Sequence, residues 1–158
     1  MEIEVVRSAR RRKTVQAREV GGVLRIAIPA TMSRADEAHW VREMTRRFER
    51  RAKAGTVDLA HRARRLATRY RLPAPGSIRW VDNQRSRWGS CTAQAGQVRI
   101  SSALARYPPW VLDYVIVHEL AHLVEANHSP RFWALVGRYP RAERARGFLI
   151  AKGLEGDD

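Results

Sequence analysis

An α+β fold is expected from the way strand-like and helix-like stretches alternate in blocks along the chain. Three observations carry it. Segments 3–7, 13–20 and 23–29 are rich in β-branched residues with partial alternation, as strands are. Helical stretches with apolar residues at three- and four-residue spacing follow, before strand-like segments return at 77–81 and 97–101. The stretch WVLDYVIVHELAHLVE is apolar on nearly every side, and a helix of that kind is normally buried.

The length of 158 residues fits one compact unit with enough chain for a proper core. Within it, residues 1–32 read as a basic β-hairpin extension and residues 33–158 as the main domain. Gly21-Gly22 marks the hairpin turn, and the cluster Arg10-Arg11-Arg12-Lys13 lies in the link before it. Ser33 caps a helix favoured by Asp36 and Glu37 at its positive end, with Trp40, Met44 and Phe48 on its buried stripe. Gly55 ends that helix. A second, from about Val57 to Tyr70, buries Leu59, Ala63, Leu66 and Tyr70. Pro73, Pro75 and Gly76 form a linker. The segment DNQRSRWGSCTAQAG between the next two strands reads as a long glycine-containing loop. Pro108-Pro109 opens the apolar helix at its first turn, and residues 130–137 and 141–152 are expected to be helical.

Charge is unevenly placed. Residues 1–71 carry 19 basic and 8 acidic side chains, net +11, whereas residues 72–158 carry 11 and 8, net +3. A basic front half can bind nucleic acid weakly. The plainer account is favoured: only Lys13, Lys53 and Lys152 are lysine, and arginines of this kind cover solvated helix faces. The N-terminus has no apolar signal segment, and no apolar run approaches the ~20 residues of a membrane span, so a cytoplasmic protein is expected. With Cys91 as its only cysteine the chain has no internal disulfide.

The chemistry concentrates in HELAHLVEANHSPRFW. Residues four apart on a helix share a face, so His118 and His122 can point two imidazoles at one ion, a geometry that suits zinc. Glu119 sits about 100° further round and is placed to act as general base without being a ligand. A catalytic zinc takes three protein ligands and leaves a position for water, and His128 is the candidate for the third. Asn127 tolerates the left-handed conformation that would turn the chain, and Ser129-Pro130 reads as the cap and first residue of a new helix. A bare HExxH also arises by chance. Two histidines and a glutamate buried without partners, however, would each cost a few kcal/mol, and a metal removes that conflict. His39 and His61 stand alone on the earlier helices and read as non-functional.

The spacing of His118, His122 and His128 resembles the metzincin pattern HExxHxxGxxH, but Glu125 occupies the glycine position and Met1, Met32 and Met44 all precede the motif. A closer resemblance rests on Arg87-Trp88-Gly89-Ser90-Cys91 followed by a strand, HELAHL and NHSPRFW. These residues resemble the YgjP-like metallopeptidases, relatives of the SprT and WLM zinc proteases, and the likeness covers nearly the whole chain. It implies a small zincin-like fold, with an HExxH helix packed on a short antiparallel sheet and the hairpin as an N-terminal extension. It further implies one zinc per chain held by His118, His122 and His128. The SprT and WLM relatives cleave proteins attached to DNA, and YgjP members have also been assigned a UTP pyrophosphatase activity.

The expected function is therefore hydrolysis of peptide bonds, with unstructured polypeptide as the expected substrate, by zinc-activated water with Glu119 as base. The alternatives are a metal-dependent UTP pyrophosphatase and a basic nucleic-acid-associated protein whose metal is structural. Magnesium held by carboxylates is the usual choice for triphosphates, whereas imidazoles suit zinc. Arg85 and Arg87 are candidates to meet a substrate carboxylate or phosphate. Trp88, Gly89 and Ser90 are candidates to wall the cleft, Gly89 because it lets the backbone approach another group closely. Cys91 reads as a small buried hydrophobe. An extended peptide is expected to add to the edge of Gln97–Ser101, continued by Ser102 and Ala103.

Overall fold

The structure, a computed structural model, describes residues 1–84 and 87–153. It divides into two compact units, Met1–Arg51 and Ala52–Asp158.

The first unit is a three-stranded sheet with a helix on it. Strands β1 (Glu2–Ser8), β2 (Gln16–Val20) and β3 (Val23–Pro29) lie in the order β1-β3-β2, with β1 parallel and β2 antiparallel to β3. Gly21 and Gly22 have φ of 59° and 82°, the left-handed backbone a tight hairpin turn requires. Leu24, Ile26 and Ile28 alternate along β3 and are fully buried. Helix α1 (Arg34–Ala54), whose Asp36 amide donates to Ser33 Oγ, covers them with Val41, Met44 and Phe48. The buried stripe thus runs through Val41, not Trp40; the indole instead lies edge-on to His39.

The second unit carries the histidine motif. Helix α2 (Leu59–Tyr70) begins where Asp58 accepts a hydrogen bond from the His61 amide, and it ends in a left-handed Arg71, φ 54°. Strands β4 (Ser77–Val81), β5 (Gly89–Thr92) and β6 (Gln97–Ser101) form a second sheet in the order β4-β6-β5. Helix α3 (Pro109–His122) packs on β5 and β6, with α2, α4 (Pro130–Val136) and α5 (Ala142–Ala151) around it. Val111, Val115, Ile116, Val117 and Leu120 are all nearly inaccessible, which is why this helix is apolar all round. Pro109 stands at its first turn, where a missing N–H leaves nothing unsatisfied.

Three expectations are corrected here. The sheet is mixed rather than antiparallel. β5 and β6 form an antiparallel pair, while β4 lies on the far side of β6 and runs parallel to it. The stretch read as one long loop contains β5, a strand too short and too rich in Gly, Ser and Thr to show an apolar alternation. Consequently β6 is the central strand, with Val98 and Ile100 buried and both edges paired, so it has no edge to offer a peptide. Among the described residues no helix is long and apolar enough to cross a membrane.

Candidate metal centre

His118 and His122 lie one turn apart on α3, and the segment after it brings back His128. One ring nitrogen from each of the three lies within 4.8 Å of the others. How the chain turns differs from expectation. Among the described residues the only non-glycine residue with positive φ is Arg71, so Asn127 does not supply a left-handed turn. Instead the last carbonyls of α3 hold the chain. The Val124 and Glu125 amides both donate to Ala121 O, at 3.0 and 2.9 Å, and fold it back on itself. Ser129 then caps α4 by accepting from the Phe132 amide, and Pro130 fills its first turn.

That turn also orients a ligand. His122 Nδ1 lies 3.1 Å from the Glu125 carbonyl oxygen, so an N–H donated there fixes the tautomer and leaves Nε2 as a lone pair. This Nε2 is 3.1 Å from Nε2 of His128. Two nitrogens bound to one tetrahedral zinc at 2.0–2.1 Å would be about 3.4 Å apart, so the pair is already close to ligand spacing. The Glu125 carboxylate, meanwhile, faces Arg131 at 3.9 Å rather than the cluster.

Burial and the neighbouring imidazoles lower the His118 pKa to about 3, which keeps it in the neutral form that a metal needs. Its Nδ1 is buried with no hydrogen-bond partner. The donor set of three converging imidazoles therefore fits a zinc-like ion better than a hard cation, which would want carboxylates. Among the described residues no other group of three or more His, Cys, Asp and Glu side chains converges in this way.

An aromatic floor supports the cluster. Phe132, fully buried, has its ring 4.9 Å from His118, 4.4 Å from His122 and 4.9 Å from His128. Trp133 stacks on His128 at 5.7 Å and meets His118 edge-on at 5.9 Å. The role of this pair was hidden in the sequence, where Phe-Trp at the start of a short helix looks like ordinary core. Tyr114, one turn before His118, closes the same side with its ring centroid 6.0 Å away.

Glu119 is buried, at 5% exposure, and its carboxylate lies directly under β5. A Cβ added at Gly89 would stand 2.8 Å from Glu119 Oε1 and 2.9 Å from its Cγ. The close approach expected of Gly89 thus occurs, and the group approached is Glu119. Cys91, two residues on and on the same face of the strand, is half-buried. Its pKa rises to about 11 through burial first and the Glu119 charge second, with Arg99 opposing. Ser90 points to the opposite face, where its Oγ accepts from Gln84 Nε2 at 2.7 Å and Arg99 Nε at 3.1 Å, so it does not line the histidine side. Trp88 is 6% exposed and packed edge-on against Tyr107, which makes it core rather than an open wall. Arg87 is exposed, and Arg85 lies outside the described residues.

Comparison with known proteins agrees with this architecture. The crystal structure of the metallopeptidase zymogen abylysin from Pyrococcus abyssi superposes with a TM-score of 0.52 at 20% identity, covering 58% of this chain and 91% of that one, a likeness of fold. No curated protein sequence matches the chain. The weak nucleic-acid binding expected of the basic front half finds no support in either the family description or this neighbour. The model of the YgjP-like metallopeptidase domain matches residues 7–149, nearly the full length. The chain belongs to the YgjP-like metallopeptidase family.

Proposed function

We propose that this metallopeptidase is zinc-dependent, that His118, His122 and His128 hold the ion, and that Glu119 is the general base for peptide hydrolysis. The observation that carries the reading is the convergence of three imidazoles within 4.8 Å, with the buried Glu119 next to His118 on α3. Zinc bound there would lower the pKa of a water to around 7 and polarise a carbonyl.

The protein's own groups supply the rest. Glu119 accepts the proton of the attacking water and then delivers a proton to the departing amine, a role that needs a fixed carboxylate near the reacting atoms. Gly89 leaves room for that carboxylate, and Phe132 keeps the imidazoles from rotating. β5 pairs with β6 on one side only, so among the described residues its other edge carries no strand. An extended polypeptide added there would run past Gly89 and above Glu119 through main-chain hydrogen bonds, with little demand on its sequence. Unstructured polypeptide is the substrate class this favours.

The test combines metal analysis with turnover. The purified chain should carry about one zinc, His128→Ala should lose it, and the zinc-loaded protein should cut an unfolded protein such as denatured casein while leaving UTP intact. UTP turnover without proteolysis would overturn the reading.

A further inference from the structure

Arg79 on β4 and Arg99 on β6 stand side by side in the parallel register, and Ser90 on β5 pairs with Arg99 from the other side. All three alternate with the residues turned toward α3, such as Val98, Ile100 and Gly89, so they share the opposite face of the sheet. Like charges on neighbouring strands repel. Arg99 extends away from Arg79 and over β5, where its Nε donates to Ser90 Oγ at 3.1 Å and its Nη2 to Thr92 Oγ1 at 2.7 Å. Both partners are neutral hydroxyls. They fix the guanidinium in place and leave some of its N–H donors unused, and among the described residues no carboxylate pairs with it.

The strand over which Arg99 lies has one open edge. β5 bonds to β6 alone, and among the described residues no other backbone hydrogen bond is made by Gly89–Thr92. Thr92, at the Arg99 end, is exposed. A polypeptide added to that edge sends alternate side chains to the Arg99 face, beside Ser90 and Thr92, while the residue beside Gly89 faces Glu119. Side chains directly opposite on adjacent strands stand about 5 Å apart at Cβ, within reach of a guanidinium already stretched across β5. The fork of an arginine matches a carboxylate, and only a polypeptide also supplies the main-chain bonds that the edge offers.

We propose that Arg99 is a specificity-determining residue of the peptidase: held over β5 by Ser90 and Thr92, it selects substrates that carry an aspartate or glutamate on the outer face of the added strand, close to the bond that is cut. The proposal rests on the reading that polypeptide substrate adds to the free edge of β5.

Cleavage and binding test it together. Denatured casein cut by the zinc-loaded protein and sequenced by mass spectrometry should show acidic residues enriched at a fixed distance from the cut bond, on one side of it. Peptides copied from the best-cut segment with Glu, Gln or Lys at that position should rank Glu first. The expected kcat/KM is ~5-fold above that for Gln, with the difference in KM rather than kcat, as for an ion pair away from the reacting bond. Arg99→Gln should bring the Glu-to-Gln ratio near one, and Arg99→Lys should keep part of it. Arg64→Gln, which removes an equal charge from the exposed side of α2, should leave the ratio unchanged. Each ratio is taken on one protein, so a general loss of activity cancels. Equal cleavage of the Glu and Gln peptides by wild type, a preference that survives Arg99→Gln, or one that Arg64→Gln also abolishes would overturn the subsite and leave the peptidase standing. If no peptide is cut, the peptidase reading fails. Calorimetric titration of metal-free protein with unstructured peptides carrying Glu or Gln at every second residue then decides the subsite alone. Tighter binding of the Glu peptide that Arg99→Gln removes would uphold it; equal or absent binding would overturn it.

Discussion

Gly89 and Glu119 are in contact across the interface of β5 and α3, so closely that a Cβ on the glycine would stand 2.8 Å from the glutamate's Oε1. The same Cβ would lie 3.1 Å from the backbone oxygen of Arg99, so it has no direction in which to yield. A strand and a helix far apart in sequence thus meet at the one carboxylate assigned to proton transfer.

Gly89→Ala is therefore expected to displace Glu119 without touching a histidine. Overpacking at such a site costs about 1–3 kcal/mol, and a shift of order 1 Å in a reacting group can lower turnover about 100-fold. Zinc content should stay at the wild-type level. Steady-state kinetics with metal analysis checks this; a fully active Gly89→Ala protein would show that Glu119 tolerates displacement.

The single thiol reports on the same carboxylate. Burial and the Glu119 charge raise Cys91 from 9.0 to about 11, so its alkylation by iodoacetamide should be slow at neutral pH and rise only in strong alkali. Glu119→Gln removes the second cause and leaves the first, so the alkylation midpoint should move down yet remain above 9.0. An unchanged midpoint would mean that the two side chains do not sense each other.

His118 sets an acid limit on the metal-free fold. Its folded pKa is lowered from 6.5 to about 3, so the unfolded chain takes up the proton more readily. Its contribution to stability is complete above 6.5 and erodes as pH falls from 6.5 toward 3. Thermal melts of metal-free protein at pH 7.5 and 5 should differ, and His118→Leu should narrow the difference. Equal melting of the wild type at both pH values would contradict the burial assigned to His118. Loading with metal should protect until acid protonates the ligands.

Much of this site was legible in the sequence because its parts are local. His118, His122 and Glu119 sit on one helix whose period is visible in the apolar residues around them, and Ser129-Pro130 announces the next helix in the text itself. What escaped was non-local or polar. β5 reads as loop because Gly89, Ser90 and Thr92 give it no apolar face, and its pairing with β6 depends on a turn at Gly96 with φ of 61°. Missing it moved the free edge from β5 to Gln97–Ser101. Asn127 looked like the turn residue, yet the amides donated to Ala121 O and the His122 ring on the Glu125 carbonyl hold the turn without a left-handed residue. The meeting of Tyr114 and Trp133 at His118 joins two helices and has no signature in either of them.

The most direct test of the account is Glu119→Gln, compared with wild type for fold, bound zinc and cleavage of an unstructured protein. The amide has the shape of the carboxylate but cannot take the water's proton. The account predicts a folded protein with wild-type zinc content and hydrolysis lowered about 100-fold or more, the scale on which a general base contributes. A variant that still cleaves at the wild-type rate, or one that loses its zinc or its fold, would contradict it.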